Sequence, residues 1–221
     1  MIHRFPKIDR RTYETVSTLG AFRLYANEIE RLVSDAAHIE QSLRGPKWRP
    51  ATEDEAAEHR METEMVRHLH DRVIIPSFRY SLVVSLWAIL EREMKRFGEN
   101  LEKESPPSIV TYRDFRGGLV EQMDKYVLVV RGFSMRKLPC YGRIKLLQIV
   151  RNCVVHCYGE PALSRDKDDL LSASSEQAGL FAVDGMPLTI ERVFVDRSHQ
   201  SAEDLFRSMF HRVGWRVDEG D

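Results

Sequence analysis

The segment from Leu146 to Gly159 constrains this chain more than any other. Leu146, Val150, Cys153, Val154 and Cys157 recur at the spacing that gathers apolar groups on one face of a helix. Gly159 then ends the helix, with Pro161 close behind. The opposite face should be polar if it met water, yet it carries Lys145, Ile149, Asn152, Val155 and His156. A face that mixed is covered, by another helix or by a second subunit.

The chain has 221 residues, enough for one domain spanning 1–221 that buries a full core without disulfides or metal. With 30% charged residues and a formal net charge of −1, it has no global basic field, so any polyanion must meet a local patch. Cys140, Cys153 and Cys157 cannot all pair, and the N-terminus lacks the layout of a signal peptide. The longest apolar run, Leu82 to Leu90, is interrupted by Ser85 and too short to span a bilayer. These features predict a reducing, cytoplasmic setting with no membrane.

The remaining elements follow from periodicity. A long helix is expected over 11–44, with Val16, Leu19, Phe22, Leu24, Tyr25, Ile29, Leu32 and Val33 on its apolar side. Gly45 to Pro50 should stop it. Thr52 and Glu55 have capping-box spacing and open a polar helix running toward Pro76, where a kink or a break is expected. Ser77 to Phe97 is the other central helix; Ser77, Ser81 and Ser85 form a stripe of small residues on which the helix of Leu146 to Gly159 can pack. Glu99 to Ser108 reads as a connection, and Leu119 to Val130 as a helix between Gly118 and Gly132. Pro139 suits the first turn of the next helix. A short charged helix is expected within Ser164 to Ser175. Phe181 to Ile190 has the pattern of a small hairpin turning at Asp184-Gly185, with Pro187 restricting the second strand to an edge. Ser201 to Val213 reads as a closing helix. The helical core is therefore expected over about 53–160, with the hairpin and last helix over about 180–214.

Within the central segment, Arg151-Asn152-Cys153-Val154-Val155-His156-Cys157-Tyr158 resembles the Arg-x4-His motif of the HEPN superfamily, in the form with Asn after the Arg and Tyr two beyond the His. The helix carrying Glu91 and Glu93 ahead of it, and a hairpin-then-helix ending, are similar to features of longer members. The resemblance implies an all-α bundle and, in active members, a metal-independent ribonuclease found in toxins and antiviral defence. It assigns functional roles to Arg151, Asn152, His156 and, more loosely, Tyr158. In one branch of the family it also implies a companion nucleotidyltransferase that attaches AMP to the matching tyrosine, with a protein antitoxin as the other expected partner; a homodimer is expected on separate, chemical grounds.

The residue types suit that chemistry. Cleaving RNA without metal needs a base for the 2′-hydroxyl, an acid for the leaving 5′-oxygen, and positive charge on the phosphorane. Histidine performs either proton transfer near neutrality, and arginine offers a fixed fork of donors to phosphate. Asn152, one turn before His156, can hold the imidazole or a ribose hydroxyl. One motif provides one histidine, so a symmetric dimer would supply the pair. The expected products are 2′,3′-cyclic phosphate ends, with no cofactor and no metal. Cys153, His156 and Cys157 point in directions too different to grip one ion. Lys137, Arg143 and Lys145, leading into the motif, are candidates for contact with the RNA backbone, beside Arg131 and Arg136. Two other readings remain: a catalytically inactive RNA-binding or scaffold module, and a generic helical interaction protein.

Overall fold

The computed structural model describes residues 9–43, 52–104 and 110–217, and the side chains of 36–43 also lie outside that description. The chain is mostly helical with one small antiparallel sheet, so the all-α class holds. In order, the helices are α1 (Arg10–Leu43), α2 (Glu53–Leu69), α3 (Ile75–Glu104), α4 (Leu119–Arg131), α5 (Tyr141–Cys157), α6 (Lys167–Glu176) and α7 (Arg192–Val213). Strands β1 (Leu180–Phe181) and β2 (Thr189–Ile190) lie between α6 and α7.

The core lies where α3 meets α1, α5 and α7. Leu82, Val83, Leu86, Leu90 and Met94 of α3 are fully enclosed, as are Ile144, Leu147, Val150 and Cys153 of α5. Phe194, Leu205, Phe206, Met209 and Phe210 close it from α7, and Leu19, Phe22 and Ala26 from α1. The expected partnership of α3 with α5 is present. Glu93 is held within this packing: Thr15 Oγ1 donates to it at 2.8 Å and Arg96 Nη2 lies 2.7 Å away. It joins α1 to α3, so this acidic residue has a structural role rather than a place at the motif.

Several boundaries differ from the sequence expectation, each for a physical reason. Pro76 does not break the chain. The helix runs from α2 into α3 through a π-helical turn at His70–Ile74, in which the Ile75 N–H bonds to the His70 carbonyl five residues back. That wide turn lies just ahead of a residue that cannot donate and that crowds the preceding turn. Charged residues do not stop α3, which continues to Glu104 with Leu101 fully buried, instead of yielding to a connection at Glu99. Residues 105–109 of that expected connection, and the stop at Gly45 to Pro50, lie outside the described residues. The helix start at Thr52 is as expected, its side chain accepting from the Glu55 N–H at 3.2 Å.

Pro139 precedes α5 rather than entering its first turn, because Cys140 is the capping position. The last helix starts at Arg192, nine residues earlier than expected, since Phe194, Val195, Ser198, His199 and Ala202 continue its buried stripe. The hairpin pairs Leu180 with Ile190 and Phe181 with Thr189. Asp184-Gly185 sits in the loop between them, with Gly185 at φ 76° and the Met186 N–H returning to Val183 O at 3.1 Å. Pro187 belongs to that loop and not to a strand.

The run Leu82 to Leu90 is short, and the helix that contains it, Glu53–Glu104, is long and apolar enough by length and composition to cross a membrane. In this fold, Leu82, Val83, Leu86 and Leu90 from that helix form the centre of the protein core.

Candidate functional site at the end of the core helix

The motif occupies the last two turns of α5. Val150 and Cys153 anchor the inner side, fully buried, while burial pushes the Cys153 thiol up to about 12. Val154 and Cys157, assigned to the same apolar face, are only partly buried but pack on the core edge. The motif side chains emerge toward solvent on the other side. His156 is exposed and makes no hydrogen bond or ion pair with any described residue.

The end of the helix is built with some strain. Tyr158 adopts a left-handed conformation, φ 55° and ψ 26°, and is the one non-glycine residue with positive φ among the described residues. Its N–H and that of Gly159 both return to the Cys153 carbonyl, closing the last turn. A residue with a side chain pays roughly 1 kcal/mol or more for this conformation. Glycine is required next: Gly159 has φ 78°, and a Cβ there would collide with the Tyr80 ring. The Gly159 carbonyl accepts from the Leu188 N–H at 2.7 Å, and the Tyr80 hydroxyl donates to the Leu188 carbonyl at 2.6 Å. Thus α3 and the hairpin loop hold the end of α5, while the Tyr158 side chain projects outward, 83% exposed.

Asn152 departs from its expected role. Its Oδ1 accepts from Arg151 Nη1 at 3.0 Å, so it orients the arginine rather than the imidazole. Arg151 Nε is buried without a hydrogen-bond partner among the described residues. The covered outer face is also narrower than expected. Ile149 packs on the core of its own chain, leaving Val155, His156 and Tyr158 exposed.

The basic run divides in two. Lys145 is engaged by Glu121 and by Gln148 Oε1 at 2.7 Å; Arg136 lies 2.9 Å from Asp124, and Arg131 3.6 Å from Glu104. Those three are committed to the fold. Lys137 is exposed and has no carboxylate partner among the described residues. Arg143 stacks over the Phe194 ring at 5.5 Å, with its Nη1 buried and unpartnered. Burial lowers its pKa, and the neighbouring Arg197 adds to the effect. Arg197 was not legible as a site residue, because it lies in the first turns of α7, ahead of where that helix was expected to start. No group of three or more metal-ligating side chains occurs among the described residues.

Comparison of the chain with protein-family models, curated proteins and solved structures finds no match to any of them.

Proposed function

We propose that this chain is a metal-independent endoribonuclease of HEPN type, acting in the cytoplasm as a toxin or antiviral defence effector. The observation that carries the reading is the state of His156: exposed, unpaired among the described residues, and fixed on a core helix five residues beyond Arg151. His199 shows how this fold treats a structural histidine, with 5% exposure, Nε2 2.8 Å from the Leu19 carbonyl, and its ring stacked on Phe22. His156 has none of those constraints.

In the proposed reaction, His156 moves a proton at the 2′- or 5′-oxygen and the Arg151 guanidinium, oriented by Asn152, stabilises charge on the phosphorane. Arg143 and Lys137 are the better candidates for the RNA backbone, since Lys145 is already ion-paired. The second proton-transfer group comes from a second copy, apposed through the surface around Val155 and His156. Tyr158 is the proposed point of control, by a nucleotidyltransferase partner that modifies its exposed hydroxyl or by a protein antitoxin that covers it.

The test is cleavage of RNA by purified protein in EDTA, with 2′,3′-cyclic phosphate on the products. His156→Ala and Arg151→Ala should each lower the rate by on the order of 100-fold or more. Unchanged cleavage in either variant defeats the assignment. A second reading rests on the lone imidazole: no other acid–base side chain is hydrogen-bonded to His156 among the described residues, which suits a module that binds RNA without cutting it. RNA retention with no cleavage at any protein concentration would select that reading.

A further inference from the structure

Helix α2 has no buried residue, although it carries Met61, Met65 and Leu69 at four-residue spacing. They are 75%, 67% and 50% exposed, and Val73 in the π-helical turn is 50% exposed. A polar solvent-facing helix has no physical reason to hold such a row, and a helix of this length is marginal in water without a packed face. The row therefore requires an occupant.

The charges identify it. At about 100° per residue, the side chains of α2 and the turn after it within roughly 60° of Met65 are Asp54, Glu58, Met61, Glu62, His68, Leu69 and Arg72. Glu58 and Glu62 flank the row toward its start, while His68 and Arg72 flank it toward its end. None of these four forms an ion pair with a described residue. Some neighbouring charges are already engaged: Arg67 lies 4.0 Å from both Glu64 and Asp71, and His70 Nδ1 3.1 Å from Asp71. Turned end over end about Met65, the stripe complements itself. Met65 meets Met65 once on the axis, Glu58 meets Arg72 twice, and Met61 and Leu69 lie level with each other along the seam. An anionic lipid surface would instead face three exposed carboxylates, Asp54, Glu58 and Glu62, beside the methionines.

We propose that α2 pairs with α2 of a second copy of this chain, antiparallel and two-fold about Met65, and that the remaining charges on the stripe set the register. This interface is distinct from the motif helix and does not rest on the ribonuclease reading. A contact about 25 Å long between two helices is small, which places the pairing in the micromolar range.

The experiment is mass determination by light scattering of the full chain, near 100 µM and on dilution. The wild-type assembly should halve in mass in Met65→Glu, with pairing weakened by on the order of 100-fold because two like charges meet on the axis. Since Met65 is exposed in the single chain, its helix content should not change. Glu58→Arg and Arg72→Glu should each weaken pairing by roughly tenfold. A one-to-one mixture of those two variants should restore it, because each mutant charge then faces its opposite. A wild-type monomer at 100 µM, a mass indifferent to Met65→Glu, or a mixture no better than the single variants would each overturn the proposal. Sedimentation of a monomeric wild type with anionic vesicles would assign the row to lipid instead.

Discussion

Tyr158 and Cys153, five residues apart at the end of α5, carry opposite predictions. Tyr158 bears backbone strain without compensating burial, so Tyr158→Gly should stabilise the fold by up to about 1 kcal/mol, the left-handed penalty being removed and the entropy of glycine added. In a chain of this size that is a rise of roughly 2 °C or more in Tm, read by calorimetry. A fall in Tm would show that the tyrosine ring packs on something it does not touch here. Cys153 is inert by burial. Its thiol, raised to about 12, and the Cys140 thiol, also raised by burial, should resist iodoacetamide at pH 8.5 until the protein is unfolded. Labelling of Cys153 in the native state, read by mass spectrometry, would mean that the end of α5 opens. These residues were legible unevenly. The motif side chains could be read from spacing, but the left-handed turn that projects Tyr158 depends on Tyr80 and Leu188, which no local pattern connects to it.

At the scale of elements, buried polar contacts tie the helices together. Glu93, fully enclosed, receives Thr15 of α1 and Arg96 of its own helix. Glu93→Ala should cost about 3 kcal/mol, measured as a lower urea midpoint, because it leaves buried donors unpaired, and Glu93→Gln should recover part of that by still accepting from Thr15. Tyr80 joins α3 to the hairpin loop, and burial raises its pKa to about 12. Its unfolded form ionises near the ordinary tyrosine value of 10.0 while the folded form stays neutral, so the unfolded state binds fewer protons above that pH. The Tyr80 contribution is thus full below about pH 10 and lost as pH rises toward 12. Tyr80→Phe should flatten that alkaline decline and lower stability at neutral pH by about 1 kcal/mol, with the Leu188 carbonyl left without its donor. Helix existence was legible from the apolar period for α1, α3, α4, α5 and α7, from capping-box spacing for α2, and only from charge for the short α6. The boundaries that moved, at Glu104 and Arg192, did so where buried residues continued a helix, at Glu104 through a segment whose charge and prolines suggested a connection. The π-helical turn had only Pro76 as its sign, and sequence alone does not distinguish that relief from a break.

At the scale of the whole molecule, two outward surfaces call for a partner, and they differ in kind. The end of α5 exposes one imidazole and Val155, 42% exposed, over a small area; α2 exposes a row of large apolar side chains far along the sequence from the motif. A chain with two distinct two-fold surfaces forms either a closed group of four or an open chain of copies. Chemistry discriminates between the surfaces, because the acid and base must meet at α5, whereas α2 contains no motif residue. Val155→Glu should therefore suppress RNA cleavage by at least roughly tenfold by placing like charges where two motif helices approach, with its helix content unchanged. Met65→Glu should halve the assembly mass and leave cleavage per chain within about twofold. Where pairing at α5 is the limiting step, the rate per chain should also rise with protein concentration and then level off, and Val155→Glu should displace that rise to higher concentration rather than lower its plateau. A plateau reduced with no displacement would make Val155 part of the RNA surface within one chain. Equal loss of cleavage in Met65→Glu would show that the α2 pair itself brings the two motif helices together.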